Sequence, residues 1–371
     1  MSTLYEDTPL HIDASTNIRL LTILPTNDET TPIACALHVV ALRENPHYTA
    51  LSYVWGPPTP SRDIFVNGKP FTVRENLWNF LNQARKEEKN CPFWIDAICI
   101  DQDSNPERTH QVSMMGKIYS EAQLVLVWLG NSTKHTARWR TLFSTLLAFD
   151  ILKLAEQEAW WEDNLECIKE LYCSPYWSRI WIVQEYVLGK RISIRCGSHG
   201  ITHDEMRGIR DQYFYIHSHK DDLCMILDSP ATRVQRLRDN NLSIRDRGKE
   251  FTLIFESVIL EFADSGCADV RDHVYALLAL CDGPLIIPDY SKSPLELFVQ
   301  ILRRADDTSL EGGRLPYEDE RVRTIEYLGE VRELLGIEDE ELEKLDCETT
   351  ELLYRWSFDC STSGTSCTNS H

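Results

Sequence analysis

Three short aromatic blocks constrain this chain more than any other feature of it. Tyr48-Thr-Ala-Leu-Ser-Tyr-Val-Trp-Gly56 and Phe93-Trp-Ile-Asp-Ala-Ile-Cys-Ile-Asp-Gln102 are apolar runs of strand length, and each breaks off in polar or turn-forming residues. In Tyr176-Trp-Ser-Arg-Ile-Trp-Ile-Val-Gln-Glu185, Trp177, Trp181 and Glu185 recur every fourth residue, which predicts one face of a helix. Strand ends in polar groups, set beside a helix that carries a carboxylate among tryptophans, make a pocket.

The rest of the chain supplies the frame for those blocks. Residues 18–24, 34–40 and 49–54 read as strands, and Asn67-Gly68 between two β-rich runs (63–73) predicts a two-residue hairpin. Leu77, Phe80, Leu81 and Ala84 mark the buried face of a helix over 75–89. A strand over 93–100 carries Asp96 in its middle. Asn105-Pro106-Glu107 then reads as cap, first-turn proline and acidic first turn of a helix through Val112, Met115 and Ile118. Further strands are expected at 122–130 and 190–196, a helical insertion at 131–170, and helices at 251–262, 272–280 and 293–303. Such alternation predicts an α/β fold with a largely parallel sheet flanked by helices, a hairpin insertion and a mostly helical C-terminal region. The expected divisions are an N-terminal strand and loop segment (1–47), an α/β domain (48–200), a helical extension (201–310) and an acidic, then Ser/Thr-rich, tail (311–371), disordered from Cys360 to His371.

Charge and composition narrow the functions. With 58 acidic against 38 basic side chains the formal net charge is −20, which argues against nucleic acid or an anionic membrane as the main partner. No apolar run reaches bilayer length and the N-terminus lacks a signal-like pattern, so a cytoplasmic protein is expected. The 12 cysteines contain no Cys-x-x-Cys pair and are read as reduced, mostly buried thiols. His199 with His203, and His217 with His219, lack partner ligands in register and are read as surface residues, so no metal is expected. No G-x-G-x-x-G or Walker sequence occurs, which argues against a nucleotide hydrolase or a Rossmann dehydrogenase.

Within the blocks, Glu185 is the leading candidate for chemistry. Contact with indole desolvates a carboxylate, raises its pKa and strengthens its attraction for a cation. The plainer alternative is a salt bridge inside the core, with Arg179 or Arg191. Tyr53 and Trp55 could stack on a base beside the Gly56 turn and Ser52 could bond a ribose or phosphate, or all could be core packing. Asp96, a carboxylate in an apolar run, needs a partner, whether structural or a ribose. Asp101 and Gln102 lie at a strand's carboxyl end, where open α/β sheets bind ligands; the alternative is that they form the turn before the next helix.

In order and wording the three blocks resemble the fungal heterokaryon incompatibility (HET) domain. Ala268-Asp-Val-Arg271-Asp272-His-Val-Tyr275 and Ile287-Pro-Asp289-Tyr290-Ser resemble the segment that many HET proteins carry after it, so the likeness runs from about 48 to 300. The resemblance implies a trigger of cell death in allorecognition. Read from the residues, Arg271 and Asp272 open a helix whose Tyr275 packs inward and hold the appendage on the α/β domain, the alternative being a direct catalytic part. A strand ending Leu51-Ser-Tyr-Val-Trp55, then Asp96, then a Trp/Glu helix is also similar to Toll/interleukin-receptor (TIR) domains. That likeness implies NAD+ as substrate, with Glu185 cleaving the nicotinamide–ribose bond and Ser52, Tyr53, Trp55, Gly56, Asp96 and Trp181 around it. No cofactor is implied. The partners implied are a second copy of the chain or an upstream NLR-type incompatibility protein. The alternative is a non-enzymatic signalling or self-assembly module in allorecognition or innate immunity.

Overall fold

The computed structural model describes residues 4–11, 16–26, 28, 30–87, 91–131, 154–217, 224–249, 251–281, 286–310 and 318–356. Its strands are β1 (Asn17–Ile23), β2 (Ala34–Ala41), β3 (Thr49–Tyr53), β4 (Ser61–Val66), β5 (Lys69–Arg74), β6 (Pro92–Trp94), β7 (Leu124–Trp128), β8 (Ile192–Cys196) and β9 (His199–Thr202). They form one sheet in the order β5-β4-β2-β1-β6-β3-β7-β8-β9. The fold is of the expected α/β class. Its parallel character is concentrated in the centre, where β6, β3, β7 and β8 run the same way. Towards the edges β1 is antiparallel to both β2 and β6, β5 to β4, and β9 to β8.

The order of the four central strands decides where a ligand can sit. Taken along the chain they are β3, β6, β7 and β8, yet in space β6 lies on one side of β3 and β7 on the other. The chain therefore reverses direction across the sheet between β3 and β7. In doubly wound sheets the crevice at the carboxyl ends of such a pair is the natural binding place. The first aromatic block ends there, because Tyr53 pairs in register with Trp128 at the ends of β3 and β7.

Both faces of this centre are covered, which is why its strands are largely apolar. On one face Phe80 of the Glu75–Glu87 helix stands edge-on to Phe93 (5.4 Å) and Trp128 (5.7 Å). On the other, Trp94 stands edge-on to Tyr119 (5.5 Å) of the Asn105–Glu121 helix. Leu77, Phe80, Leu81 and Ala84 are the buried face of the first helix, as their spacing predicts. The hairpin also forms where expected. Asn67 and Gly68 take φ of 50° and 76°, the left-handed pair that a two-residue turn between twisted strands needs. Asn67 in addition exchanges two side-chain bonds with the backbone of Leu37 (2.9 and 3.0 Å), fastening the hairpin to β2.

Several local expectations change. The second block is a strand only through Trp94, and Asp96–Cys99 is one turn of helix, with the amides of Ile98 and Cys99 bonded to the Ile95 carbonyl (3.0 and 2.7 Å). Asp96 therefore opens a turn instead of sitting mid-strand, its Oδ1 accepting from the amide of Ala97 (2.7 Å). The third block is not one helix. Pro175–Ser178 is a 3-10 turn, Arg179 is extended (φ −84°, ψ 134°), and the α-helix begins only at Ile182. Arg179 leaves the helical path because residues 178–180 pair with Gly266, through Gly266 N to Ser178 O (2.6 Å) and Ile180 N to Gly266 O (3.1 Å). Ser104, one residue before Asn105, is the true cap of the next helix, accepting from the Glu107 amide at 3.4 Å. Of the expected insertion, Leu154–Tyr172 is helical and 132–153 lie outside the described residues, as do 360–371.

Helices fill the chain after β9, including His203–His217, Pro230–Asp246, Phe255–Glu261, Pro294–Leu310 and Glu318–Leu334. The Pro230–Asp246 helix closes the end of the Ile182–Leu188 helix. Buried Arg238 donates to the carbonyls of Tyr186 (2.8 Å), Val187 (3.2 Å) and Gly189 (2.6 Å), which the short helix cannot satisfy itself. No helix among the described residues is long and apolar enough to cross a membrane.

Candidate functional site

At the β3/β7 end of the sheet the side chains of two aromatic blocks meet. Ser52, the next-to-last residue of β3, donates its hydroxyl to Glu185 Oε2, and its oxygen lies 2.6 Å from the Tyr176 hydroxyl. With its own proton on Glu185, Ser52 must accept from Tyr176. Tyr119 bonds the Leu51 carbonyl (3.0 Å) and presents its oxygen to the same carboxyl. Glu185 is only 2% exposed and makes no ion pair within 4.0 Å among the described residues. Burial pushes its pKa up from 4.5 to about 7, against the opposing pull of the Arg179 charge and the Ser52 hydroxyl. A carboxyl in this state holds or releases a proton near neutral pH.

Asp96 and Arg179 complete the charged part. The indole of Trp55 donates to Asp96 Oδ2 at 2.8 Å, and Gln102 donates to the Asp96 backbone carbonyl at 3.0 Å. Burial raises the Asp96 pKa as well, with Arg179 and the Trp55 bond opposing. Arg179 donates to the carbonyl of Tyr53, which its extended backbone places within reach. Gly56 turns the chain at φ 73°, a conformation that β-carbons resist, and its carbonyl accepts from Arg74 at 2.5 Å. The guanidinium of Arg74 lies 5.2 Å from the ring centroid of Trp55. Trp55 is thus a fixed wall, held by Asp96 along its edge and by a cation over its face.

Of the residues singled out in the sequence, Ser52, Tyr53, Trp55, Gly56, Asp96, Arg179 and Glu185 converge here, with Gln102 against the backbone of Asp96. The others do not. Asp101 is a turn former, its Oδ1 bonded to the Asp103 amide (3.2 Å) and its own amide bonded to Glu107 Oε1 (2.7 Å). Trp177 is buried in the core, edge-on to Tyr176 (4.8 Å) and Tyr186 (5.3 Å), with its indole bonded to the Leu171 carbonyl (2.7 Å). Trp181 lies beside Asp272 and helps to offset the rise that burial gives its pKa, and Tyr290 donates to that same carboxyl at 2.6 Å. Arg271 grips Asp269 bidentately (2.8 and 2.6 Å) and also bonds the Tyr290 carbonyl (2.9 Å), while Tyr275 bonds the Asp289 carbonyl (3.0 Å). These three residues knit the segment 269–292 together and bring it against Trp181.

Four site residues had no mark in the sequence. Tyr176 stood at the head of the third block, and Tyr119, Asn76 and Arg74 were parts of ordinary amphipathic elements. Asn76 bonds the Val54 carbonyl (2.6 Å) and accepts from the Trp128 indole (3.1 Å), tying the ends of β3 and β7 to one helix. His203 is buried instead of exposed, its ring nitrogens 2.9 Å from the Tyr186 hydroxyl and 3.0 Å from Asp239. His219 lies outside the described residues. Among the described residues no three His, Cys, Asp or Glu side chains gather as metal ligands. A surface cavity of about 410 Å³ lies at the opposite, amino-terminal end of the parallel strands, between His47, Glu121 and Lys190, away from Glu185.

Comparison with known proteins finds similarity over the same part of the chain. Residues 48–185 match the family described as heterokaryon incompatibility protein (HET), a stretch that begins at β3 and ends on Glu185. The chain is 26% identical over 355 aligned residues to heterokaryon incompatibility protein 6, OR allele, of Neurospora crassa, covering 78% of this chain and 52% of that protein. The chain thus spans about half the length of that relative. No solved structure matches.

Proposed function

We propose, from the premise that residues 48–185 form a heterokaryon incompatibility domain, that this chain is a cytoplasmic cell-death effector of fungal incompatibility whose crevice cleaves NAD+. The observation that carries the reading is a carboxyl titrating near pH 7, Glu185, placed with Asp96 and Arg179 at the switch point of a doubly wound sheet. The order of β6, β3, β7 and β8, with a carboxylate on the helix before β8, also favours the TIR-like reading.

In the reaction the bond between ribose C1′ and the nicotinamide nitrogen breaks, and its electron pair neutralises the pyridinium. Nicotinamide leaves without a proton. The ribosyl centre becomes oxocarbenium-like and is captured by water, giving ADP-ribose and one proton. An ionised Glu185 would stabilise that cation or orient the water, so one carboxylate serves where an ordinary glycosidase needs two. Ser52, itself held by Tyr176, keeps the carboxylate in place. Because Glu185 is 2% exposed, substrate would reach it only after a local opening of the structure around it.

That same closure favours a second reading, an assembly module whose aromatic blocks only build a core, acting through copies of itself or an upstream incompatibility protein. Incubating purified protein with NAD+ and following nicotinamide separates the two. Glu185→Gln is expected to lower turnover by roughly a hundredfold or more. Wild-type turnover should rise as pH passes upward through about 7, since the ionised form is the active one. Turnover that is equal in the variant removes Glu185 from the chemistry, and no turnover in an assembled wild type favours the module.

A further inference from the structure

Two guanidinium groups flank the tail of β3, and neither is neutralised by contact with an acid. Arg179 donates to the carbonyl of Tyr53 and Arg74 to that of Gly56, three residues along. Three residues of chain span at most ~10 Å, so both cations reach a common volume above the strand end. Both charges act on the Tyr53 hydroxyl, together with that of Asp96. Among the described residues neither arginine has a carboxylate oxygen within 4.0 Å, although acidic side chains outnumber basic ones by 20 in the chain. Arg62, the neighbour of Arg74 on the hairpin, has such a partner in Glu75 (3.6 Å). The donors left over on Arg74 and Arg179 are not among the buried groups that lack partners. Both side chains are only partly buried, which leaves those donors reachable from solvent.

We propose that Arg74 and Arg179 form a phosphate-binding subsite over Tyr53–Gly56, so that the ligand of this crevice is a nucleotide carrying a diphosphate. Guanidinium forks match phosphate oxygens bidentately, and two forks suit a diphosphate better than a single phosphate. Trp55 orients the fork of Arg74 through its ring face and is itself fixed by Asp96. This deepens the NAD+ reading, on which it rests for the identity of the nucleotide, but it concerns binding and not bond cleavage.

The test is calorimetric titration of the full chain with ADP-ribose, which lacks the scissile bond, and with adenosine, which lacks phosphate. Wild type is expected to bind ADP-ribose more tightly than adenosine. Arg74→Gln should weaken ADP-ribose roughly ten- to a hundredfold while leaving adenosine unchanged, and Arg74→Lys should recover part of the loss. Melting curves identify a variant that fails to fold, and Arg179→Gln provides the second, independent arm. ADP-ribose binding no tighter than adenosine, or indifferent to both arginines, overturns the subsite. The outcomes also separate the two proposals. Arginine-dependent ADP-ribose binding without nicotinamide release keeps the subsite and removes the reaction. Nicotinamide release with arginine-indifferent binding does the reverse.

Discussion

Two buried glutamates on neighbouring helices show how the same side chain is used in opposite ways. Glu107 sits at the start of the Asn105–Glu121 helix, where the fully buried guanidinium of Arg19 grips both its oxygens (2.5 and 3.0 Å) and the amide of Asp101 adds a third bond (2.7 Å). Arg19 is itself completed by the carbonyls of Thr8 (2.6 Å) and Cys99 (3.0 Å). Every charge there has a matched partner, and the pair fixes the turn that follows β6. Glu185 is buried more deeply but receives only hydroxyls, with the nearest cation bonded elsewhere. One carboxylate is a rivet, while the other is left able to exchange a proton. Burial alone does not separate the two carboxyls; the presence of a counter-ion within 4.0 Å, among the described residues, does.

The comparison can be broken in order of expected effect. Arg19→Met leaves Glu107 buried without its partner and is expected to cost about 3–5 kcal/mol, read from urea denaturation. A loss below about 1 kcal/mol would show that the pair is no rivet. Glu185→Gln should act in the opposite direction. Folded Glu185 keeps its proton up to about pH 7 while the unfolded chain releases it near 4.5, so its stabilising contribution is full below 4.5 and lost as pH rises through 7. At pH 8 the variant should therefore be the more stable protein, by up to ~3 kcal/mol, with a flatter stability profile between pH 5 and 8. A wild type whose stability does not fall over that range would make Glu185 an ordinary ionised residue. Ser52→Ala removes one donor from the carboxylate. The Glu185 midpoint should then rise by roughly half a unit to one unit, followed as the protonated carboxyl band in infrared spectra.

Much of the frame was legible beforehand because it rests on short-range rules. The face of the Glu75–Glu87 helix, the Asn67-Gly68 turn and the runs of β1, β2, β3, β7 and β8 all follow from periodicity and local backbone preference. Where those rules failed, a distant partner had intervened. The regular spacing of Trp177, Trp181 and Glu185 is broken at Arg179 by pairing with Gly266, nearly ninety residues downstream. The apolar run after Phe93 is cut short because only Phe93 and Pro92 find partners on β1 and only Phe93 and Trp94 on β3. A lone arginine in the apolar Ile18-Arg-Leu-Leu run was a signal for the Arg19–Glu107 pair, since an unpaired cation is not tolerated in such a strand.

By itself the sequence determined the α/β class and the family wording of the three blocks, and it singled out Glu185 as a candidate, because strand alternation, turn chemistry and a carboxylate among aromatics are local properties. Only the tertiary structure decided that β7 lies beside β3, so that Ser52, Tyr176 and Glu185 meet at one switch point. It alone decided that Trp177 and Trp181 serve the core and the C-terminal segment, and that Arg74 and Arg179 bond backbone carbonyls of the same strand end with no carboxylate within 4.0 Å among the described residues. Those outcomes depend on which distant groups are brought within a few ångströms of one another. Hydrogen bonds and desolvation act only at that range, and the order of residues along a chain does not encode it locally.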